Sequence, residues 1–542
     1  MQMRRRDFMG AAATGVMALS LPRNAHAQSG ATSYRTKARE LIPDLRQIVQ
    51  APARLVTPIA DANRVLRFRM EQEAQPVALE QRLFGKGDSF ILDFEGHRTG
   101  HFAFDLVGIG EGVDAPVRLK LTFGEVPTDV AEPLHPYKGR LGEGWLPEET
   151  ITVDFLPQSV QLPRRYAFRY VKVEVIDTSP TFKVRFENTR AIALTSAGEP
   201  PAALQSGDPL LDRIDAISIA TLRDCMQTVF EDGPRRDQRL WVGDLRLQAL
   251  TAYATFGGFD LVRRCLYLFA GFPRPDGQIE ACVYEKPKAA RGGITILDYA
   301  ALWNVTLADY FAASQDRTTA LDLWPVAVKQ VQLLSAHVKH GLFTDPGDQF
   351  LFIDWAEDLD RNAAIHGVLT YAFSRTLELA RALGRLSDLP GLERMVTTMR
   401  RAGRDAFLDP ARGVFVSGHD RQVSWASQAW LTIAGVPRDK AEAARALRAA
   451  LATSDAVRPR TPYLYHYVTE AMTLAGMDGE ALAMLKSYWG AMAEAGADTF
   501  WEVFDPAHPL SSPYGDIHIN SYCHAWSCTP SWFLRTGRIK PA

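Results

Sequence analysis

Basic residues are not in excess in this chain of 542 residues: 61 Lys and Arg stand against 63 Asp and Glu, for a formal charge of −2. That balance leaves no electrostatic footprint for a polyanion, so nucleic acid is excluded as an expected partner. Cysteine is scarce. The five present, Cys225, Cys265, Cys282, Cys523 and Cys528, have no C-x-x-C spacing, which argues against a disulfide framework and against a zinc site. They are expected mostly as small buried apolar residues, with no Cys523–Cys528 bridge assigned. No H-E-x-x-H or EF-hand spacing occurs, and no Walker, Rossmann or G-x-S-x-G fingerprint rises above noise, so neither a metal nor a cofactor is expected. What remains is an ordinary globular composition, 46% hydrophobic, 10% aromatic and 23% charged, over a length that calls for two or three domains.

Residues 1–27 read as an address. Arg4, Arg5 and Arg6 precede a short run of small and apolar residues, and Ala25-His26-Ala27 supplies an A-x-A cleavage site. The apolar run is short for a membrane span, and Arg5-Arg6-Asp7-Phe8-Met9 resembles the twin-arginine signal R-R-x-F-L used by proteins that fold before export; an uncleaved, basic-flanked anchor is the alternative. No later stretch is long and apolar enough to cross a bilayer. A periplasmic protein free of the membrane after signal cleavage is therefore expected.

Two periodicities divide the rest. Residues 28–84 form an N-terminal extension or part of a β-domain, and 85–200 alternate with period two. Val117, Leu119, Leu121 and Phe123 are interleaved with Arg118, Lys120 and Thr122, and Val171, Val173 and Val175 with Lys172 and Glu174. Phe102, Phe104 and Leu106, then Phe182, Val184 and Phe186, repeat the pattern. Strands that bury one face and wet the other give this signal, and the number of short strands predicts a jelly-roll-like β-sandwich. After the linker Ser196–Pro201 the period becomes helical. About twelve helices are expected over 201–542, near 209–229, 245–256, 259–270, 296–315, 318–339, 361–384, 387–407, 423–434, 438–453, 462–475, 478–495 and 519–535. The helical pairs carry no recurring TPR, HEAT or ankyrin signature, which favours a closed toroid of six hairpins over a solenoid.

Four segments concentrate charge and aromatic rings. Glu231–Asp244 brings Asp232, Asp237 and Asp244 together with Arg236 and Trp241 in a Gly/Pro-broken stretch between two helices. Such groups are costly to bury unless paired or wet, and a large ring among them suits stacking on a sugar; a solvated loop of weak ion pairs is the plainer account. Phe352–Asp358 holds Asp354 and Trp355, readable as a carboxylate beside a stacking platform or as a solvated helix start. In Thr499–Pro506, Trp501 flanks Glu502, a carboxylate amid rings whose pKa is expected to be raised into the range of a base. Finally, His518, His524 and Trp526 offer polar edges and a ring near the last predicted helix.

Separated acids surrounded by Trp and Arg meet the needs of glycosidic bond cleavage. One carboxyl protonates the leaving oxygen while another activates water or attacks carbon. Neutral sugars are held by ring stacking and hydrogen bonds, so the residues alone point to a carbohydrate-active enzyme.

The segment Asp232–Asp244 resembles the D-C-P-x-R-(D)-E-R-x-G-W-x-G-D signature of bacterial α-L-rhamnosidases, glycoside hydrolase family 78. Asp354-Trp355 is similar to the family's G-D-W element, Thr499–Glu502 to its T-x-W-E element, and His524–Trp526 to a segment on the last barrel helix. Arg165–Val171 resembles part of the β-sandwich that precedes the barrel. The resemblance, over about residues 85–540, implies a β-sandwich followed by an (α/α)6 barrel and inverting hydrolysis of a terminal α-L-rhamnosyl group. It implies Glu502 as general base and Asp237 as general acid. Asp232, Arg236, Trp241, Asp244, Asp354, Trp355, Trp501, His524 and Trp526 would bind the sugar. Gly233 replaces the signature Cys, and Gln238 stands where many members have Glu, which leaves Asp237 to supply the proton. The chain ends soon after the last expected helix, so a compact member without a C-terminal β-domain is expected. The alternatives are another toroid glycosidase, a polysaccharide lyase, or a sugar-binding homologue without catalysis.

Overall fold

A computed structural model describes residues 23–541, with side chains from residue 30 onward. Most of the export segment, residues 1–27, lies outside the described residues. Helix α1 (Arg23–Glu40) lies along the helical part of the chain: Arg35 Nε donates to Gly271 O and Lys37 pairs with Asp322. Among the described residues no helix is long and apolar enough to cross a membrane.

A nine-stranded antiparallel sheet follows, beginning at Arg46. Its strands are β1 (Arg46–Gln50), β2 (Arg54–Ala60), β3 (Phe68–Ala74), β4 (Ser89–Gly110), β5 (Val117–Gly124), β6 (Glu148–Val153), β7 (Gln158–Gln161), β8 (Tyr166–Asp177) and β9 (Phe182–Thr195). The four alternating runs of the sequence fall on β5, β8, β4 and β9. Their apolar members, Phe102, Phe104, Leu121, Phe123, Val173 and Phe186 among them, fill one core. β4 organises the sheet. Its first residues pair with β8, the register breaks between Asp93 and Arg98 around Glu95 in the left-handed region, and its second half pairs with β9. The bend leaves Asp93 and His97 fully buried, which demands partners. Asp93 accepts from Arg54 and Arg169, and His97 meets Asp224 and Glu125. The connection from β5 to β6 carries a one-turn helix, α2 (Pro127–Ala131).

The helical part comprises α3 (Pro209–Cys225), α4 (Val242–Ala254), α5 (Phe259–Gly271), α6 (Leu297–Ser314), α7 (Arg317–Ser335), α8 (Asn362–Leu383), α9 (Leu392–Phe407), α10 (Trp425–Ile433), α11 (Lys440–Ala452), α12 (Pro462–Leu474), α13 (Asp478–Glu494) and α14 (Pro530–Arg535). Eleven of these match the expected helices closely. The even-numbered helices α4 to α12 pack each against the next, and the C-terminal segment packs against both α12 and α4. Position in this order is written in the burial. Every residue of α10 and nearly all of α4 and α12 are buried, whereas α9 buries only Leu392, Val396, Met399, Gly403 and Phe407, a stripe at three- and four-residue spacing.

The twelfth expected helix, 519–535, is not one helix. Short 3-10 turns at Ile517–Ile519 and Ala525–Ser527 precede the six-residue α14. The amides between them are taken laterally, His524 N by Phe500 O at 2.9 Å and Ala525 N by Asp232 O at 2.9 Å, instead of by carbonyls one turn back. Pro530 also suits only a first turn. All five cysteines are free and buried.

Helices α8 and α10 touch at Gly367, where a Cβ would stand 2.7 Å from the Trp430 backbone. In isolation Gly→Ala favours a helix by about 1 kcal/mol, but overpacking here costs about 1–3 kcal/mol. Gly367→Ala should therefore lower the thermal unfolding midpoint. A raised midpoint would mean that the close approach does not limit this pair.

Candidate active site

The site grows from the loop between α3 and α4. Asp232 N donates to Arg239 O at 3.0 Å, and Arg239 N returns a bond to Asp232 Oδ1 at 3.1 Å, closing the loop on itself. Inside it, Asp237 and Gln238 both take positive φ, 37° and 52°. Two such non-glycine residues cost of order 1–3 kcal/mol each and persist only where their surroundings impose them. Here Arg235 and Arg236 are buried anchors on one side, and the Gln238 amide donates to Pro234 O at 2.9 Å. Gln238 thus braces the loop. Asp237, half-buried, stands 3.8 Å from both Arg236 and Arg239.

Trp241 forms a two-residue strand, β10 (Leu240–Trp241), paired with β11 (Cys282–Tyr284), and Asp244 lies in the first turn of α4. Between them Gly243 leaves room for Tyr299, whose ring occupies the space a Cβ would need. This gives the glycine of the motif a physical reason.

A cavity of about 240 Å³ opens above this loop. It is lined by Asp232, Arg236, Asp237, Trp241, Asp244, Trp355, Glu502, His524 and Trp526, all nominated from sequence, together with Ile294, Ile296, Tyr299, Phe350, Phe352 and Tyr514. The four stretches nominated from sequence therefore meet on one small volume, joined by residues 294–299 and Tyr514. Two nominated residues do not line it. Asp354 is buried and accepts from Arg460 N at 2.7 Å and from the Thr461 hydroxyl at 2.5 Å, fastening its loop to the start of α12. Burial pushes its pKa up to about 6. Trp501 packs edge-on against Phe504 and Tyr522 in the core. The side chain pointing the other way from Trp501 along the chain, Glu502, is the one that reaches the cavity.

Glu502 departs from the sequence expectation. Burial favours its neutral form, but the Arg236 guanidinium, His524 and the Tyr514 hydroxyl outweigh that, and its pKa lies below the usual carboxylate value. Arg236 Nη2 donates to Glu502 Oε2 at 2.5 Å, the Tyr514 hydroxyl donates to Oε1, and the Arg236 guanidinium stacks 4.2 Å over the Tyr514 ring. Reading the aromatic neighbours alone gave the wrong sign, because the compensating cation is 266 positions away in sequence. Asp232 and Asp244 behave oppositely. Burial, with repulsion from neighbouring carboxylates, raises both well above an ordinary aspartate. His524 lies between them, 3.9 Å from Asp232 and 3.7 Å from Asp244, and burial lowers its pKa to about 4. The cavity therefore holds an ionised Glu502 and a neutral imidazole at neutral pH, beside two aspartates whose protonated form burial and like charge favour.

Asp244 Oδ1, His524 Nδ1 and Trp355 Nε1 have no hydrogen-bond partner among the described residues. Buried polar atoms are normally satisfied, so orphans around one cavity mark where a polar ligand would bind. Tyr514 and Tyr299 were missed in sequence. Tyr514 sits in a Pro513-Tyr514-Gly515 turn with the look of a surface loop, and Tyr299 reads as one more apolar residue on a buried helix. No group of His, Cys, Asp and Glu with metal-binding geometry occurs among the described residues.

Comparison with known proteins bears on this geometry. Residues 52–193 match the glycosyl hydrolase family 78 α-rhamnosidase N-terminal domain, and residues 201–536 the bacterial α-L-rhamnosidase six-hairpin glycosidase domain. Among solved structures, a rhamnosidase from Klebsiella oxytoca with rhamnose bound is 43% identical, with a TM-score of 0.90 over 93% of this chain and 98% of that one. The family 78 rhamnosidase of Bacillus sp. GL1 is 22% identical, with a TM-score of 0.71 over 88% of this chain and 51% of its own. The Streptomyces avermitilis α-L-rhamnosidase complexed with L-rhamnose is 19% identical, with a TM-score of 0.63 over 91% and 44%. These last two share the fold. Comparison with curated proteins finds no match. The chain belongs to glycosyl hydrolase family 78, with that family's α-rhamnosidase N-terminal domain followed by its six-hairpin glycosidase domain.

Proposed function

We propose that this protein is an α-L-rhamnosidase that removes terminal α-L-rhamnose with inversion, Asp237 acting as general acid and Glu502 as general base. The observation that carries the assignment is that both carboxyls line the same cavity, with Glu502 kept ionised by Arg236 and Tyr514. An ionised Glu502 takes a proton from water as the water oxygen attacks the anomeric carbon. The bond to the leaving oxygen breaks, and Asp237 gives that oxygen its proton. Asp232 and Asp244, whose protonated forms are favoured, offer carboxyl groups to sugar hydroxyls, and the orphaned edges of Asp244 and His524 offer further bonds. Trp241, Trp355 and Trp526 supply faces for the ring. The 43%-identical Klebsiella rhamnosidase, which carries rhamnose, supports the choice of sugar.

The circular packing of α4 to α12, closed by the C-terminal segment, supports an (α/α)6 barrel, and the bent β4 shared between β8 and β9 supports a jelly-roll-like sandwich. Export to the periplasm rests on Arg4–Arg6 and Ala25-His26-Ala27. One observation favours a second donor: burial and neighbouring carboxylates raise the pKa values of Asp232 and Asp244 in the same cavity, which makes either a candidate in place of Asp237.

Glu502→Gln and Asp237→Asn, assayed on 4-nitrophenyl α-L-rhamnoside, should each lose about 10²–10⁴-fold in kcat. The Asp237→Asn defect should shrink with a 2,4-dinitrophenyl leaving group, which needs no proton. Full turnover by Asp237→Asn on a poor leaving group would assign the donor to Asp232 or Asp244, and proton NMR of the first-formed anomer reads the stereochemistry. Tyr514→Phe removes a bond made to the ionised base. The Glu502 pKa then rises, and because the base works above its pKa, the acid limb of kcat/KM should move to higher pH. An unmoved limb would separate Tyr514 from the ionisation of Glu502.

A further inference from the structure

The β-sheet part of the chain reaches the site through the connection between β5 and β6. Asp129, on α2, is buried and receives both terminal nitrogens of Arg235, at 2.6 and 2.9 Å. Its Oδ2 also accepts the backbone N–H of Glu125 at 2.9 Å, which fixes the carboxylate from its own side. Glu125, equally buried, accepts from Tyr522 N at 2.7 Å and holds His97 of β4 at 3.0 Å, whose other nitrogen meets Asp224 of α3 at 2.7 Å. Arg235 completes its fork by donating to His518 O at 2.7 Å.

The positions gripped form a pattern. Each is next in sequence to a residue that touches the base or its guanidinium. Arg235 precedes Arg236, which pairs with Glu502. His518 precedes Ile519, whose carbonyl accepts Arg236 Nε at 3.1 Å. Tyr522 follows Ser521, whose N–H donates to Glu502 Oε2 at 3.3 Å and whose carbonyl accepts Glu502 N at 2.9 Å. The same connection adds Arg140 N donating to Tyr514 O at 2.7 Å, and packs Leu134 and Leu146 on Ile519.

We propose that Asp129 and Glu125, from the β-domain, are positioning residues that clamp Arg235 and the 518–522 segment and so hold Arg236 and Glu502 in working geometry. This rests on the reading of Glu502 as the base. The clamp is stiff because it is bidentate and dry: burial would favour neutral Asp129, yet Arg235 and His518 hold its pKa down to about 2. A misplacement of about 1 Å at a reacting group can cost about a hundredfold in rate, so a distant anchor can have a catalytic reading. The groups that face Glu502 are Arg236, His524, Tyr514 and, repelling, Asp244. Only Arg236 among them is tied directly to a residue adjacent to the clamp on both of its sides.

The test is Asp129→Asn in the full chain, with kcat, KM and the pH profile measured on 4-nitrophenyl α-L-rhamnoside beside a thermal melt. The expected result is a fall in kcat on the order of 10–100-fold, KM near that of the wild type, and an acid limb moved to higher pH as Arg236 slackens its hold on Glu502. Should Asp129→Asn lack a cooperative melt, Arg235→Lys carries the test, since it keeps the charge opposite Asp129 but cannot make the forked contact. It should move kcat and the limb in the same direction. A folded variant with a lower melting point but wild-type kcat and an unmoved acid limb overturns the proposal and leaves the clamp a stability element. If Glu502→Gln retains full turnover, the reading of the base and the proposal built on it fail together. If Glu502→Gln is inactive while folded Asp129→Asn matches the wild type, the positioning role alone is wrong.

Discussion

A carboxylate taken out of water keeps its charge only if a cation is held against it, and in this protein that pair is Arg236 with Glu502. The desolvation cost of both ions exceeds what a loose contact returns, so the geometry has to be enforced by further bonds on each partner. Ile519 O fixes the guanidinium from one side and the Tyr514 ring from its face, while Ser521 and Trp526 hold the glutamate backbone. Each of those residues sits on a stretch of chain with no α-helix or strand, only single 3-10 turns and loops. The irregularity after α13 therefore has a structural reason: a continuous helix over 519–535 would turn its amides inward and leave Glu502 without the bonds from Ser521 N and Trp526 Nε1.

The same argument explains why acids of identical chemistry carry different protons within one cavity. Glu502 has a guanidinium and stays charged. Asp232 and Asp244 pair with no Arg or Lys among the described residues, and burial with neighbouring carboxylates raises both well above an ordinary aspartate. Environment divides the labour, and a ligand rich in hydroxyls meets hydrogen-bond donors and acceptors in one cavity.

Much of this could be read from the residues. Period-two runs located β4, β5, β8 and β9, and helical spacing located eleven helices, because in both cases the pattern is local and set by one buried face. Nine of the eleven nominated site residues converge on the cavity, as charge beside Trp in broken segments suggested. What failed was non-local. The depressed pKa of Glu502 depends on Arg236, on another loop. Asp354, the plausible acid beside Trp355, is consumed by Arg460 N and Thr461, and nothing in its own neighbourhood announces them. Tyr514 entered the site because the connection between β5 and β6 packs its turn inward. The final helix failed because its amides bond sideways to distant loops.

The even-numbered helices leave a gap between α12 and α4, and the piece that fills it, residues 525–535, follows every other described helical segment in the chain. His524, at its edge, and Glu502 shortly before it arrive at the same late moment. A nascent chain with eleven helices already formed would present an open arc whose interior strip is exposed to solvent and whose first loop, with Asp237, has nothing to face. Chains cut before residue 500 would lack Glu502, His524 and the closing segment together, and should expose the apolar interior strip and aggregate.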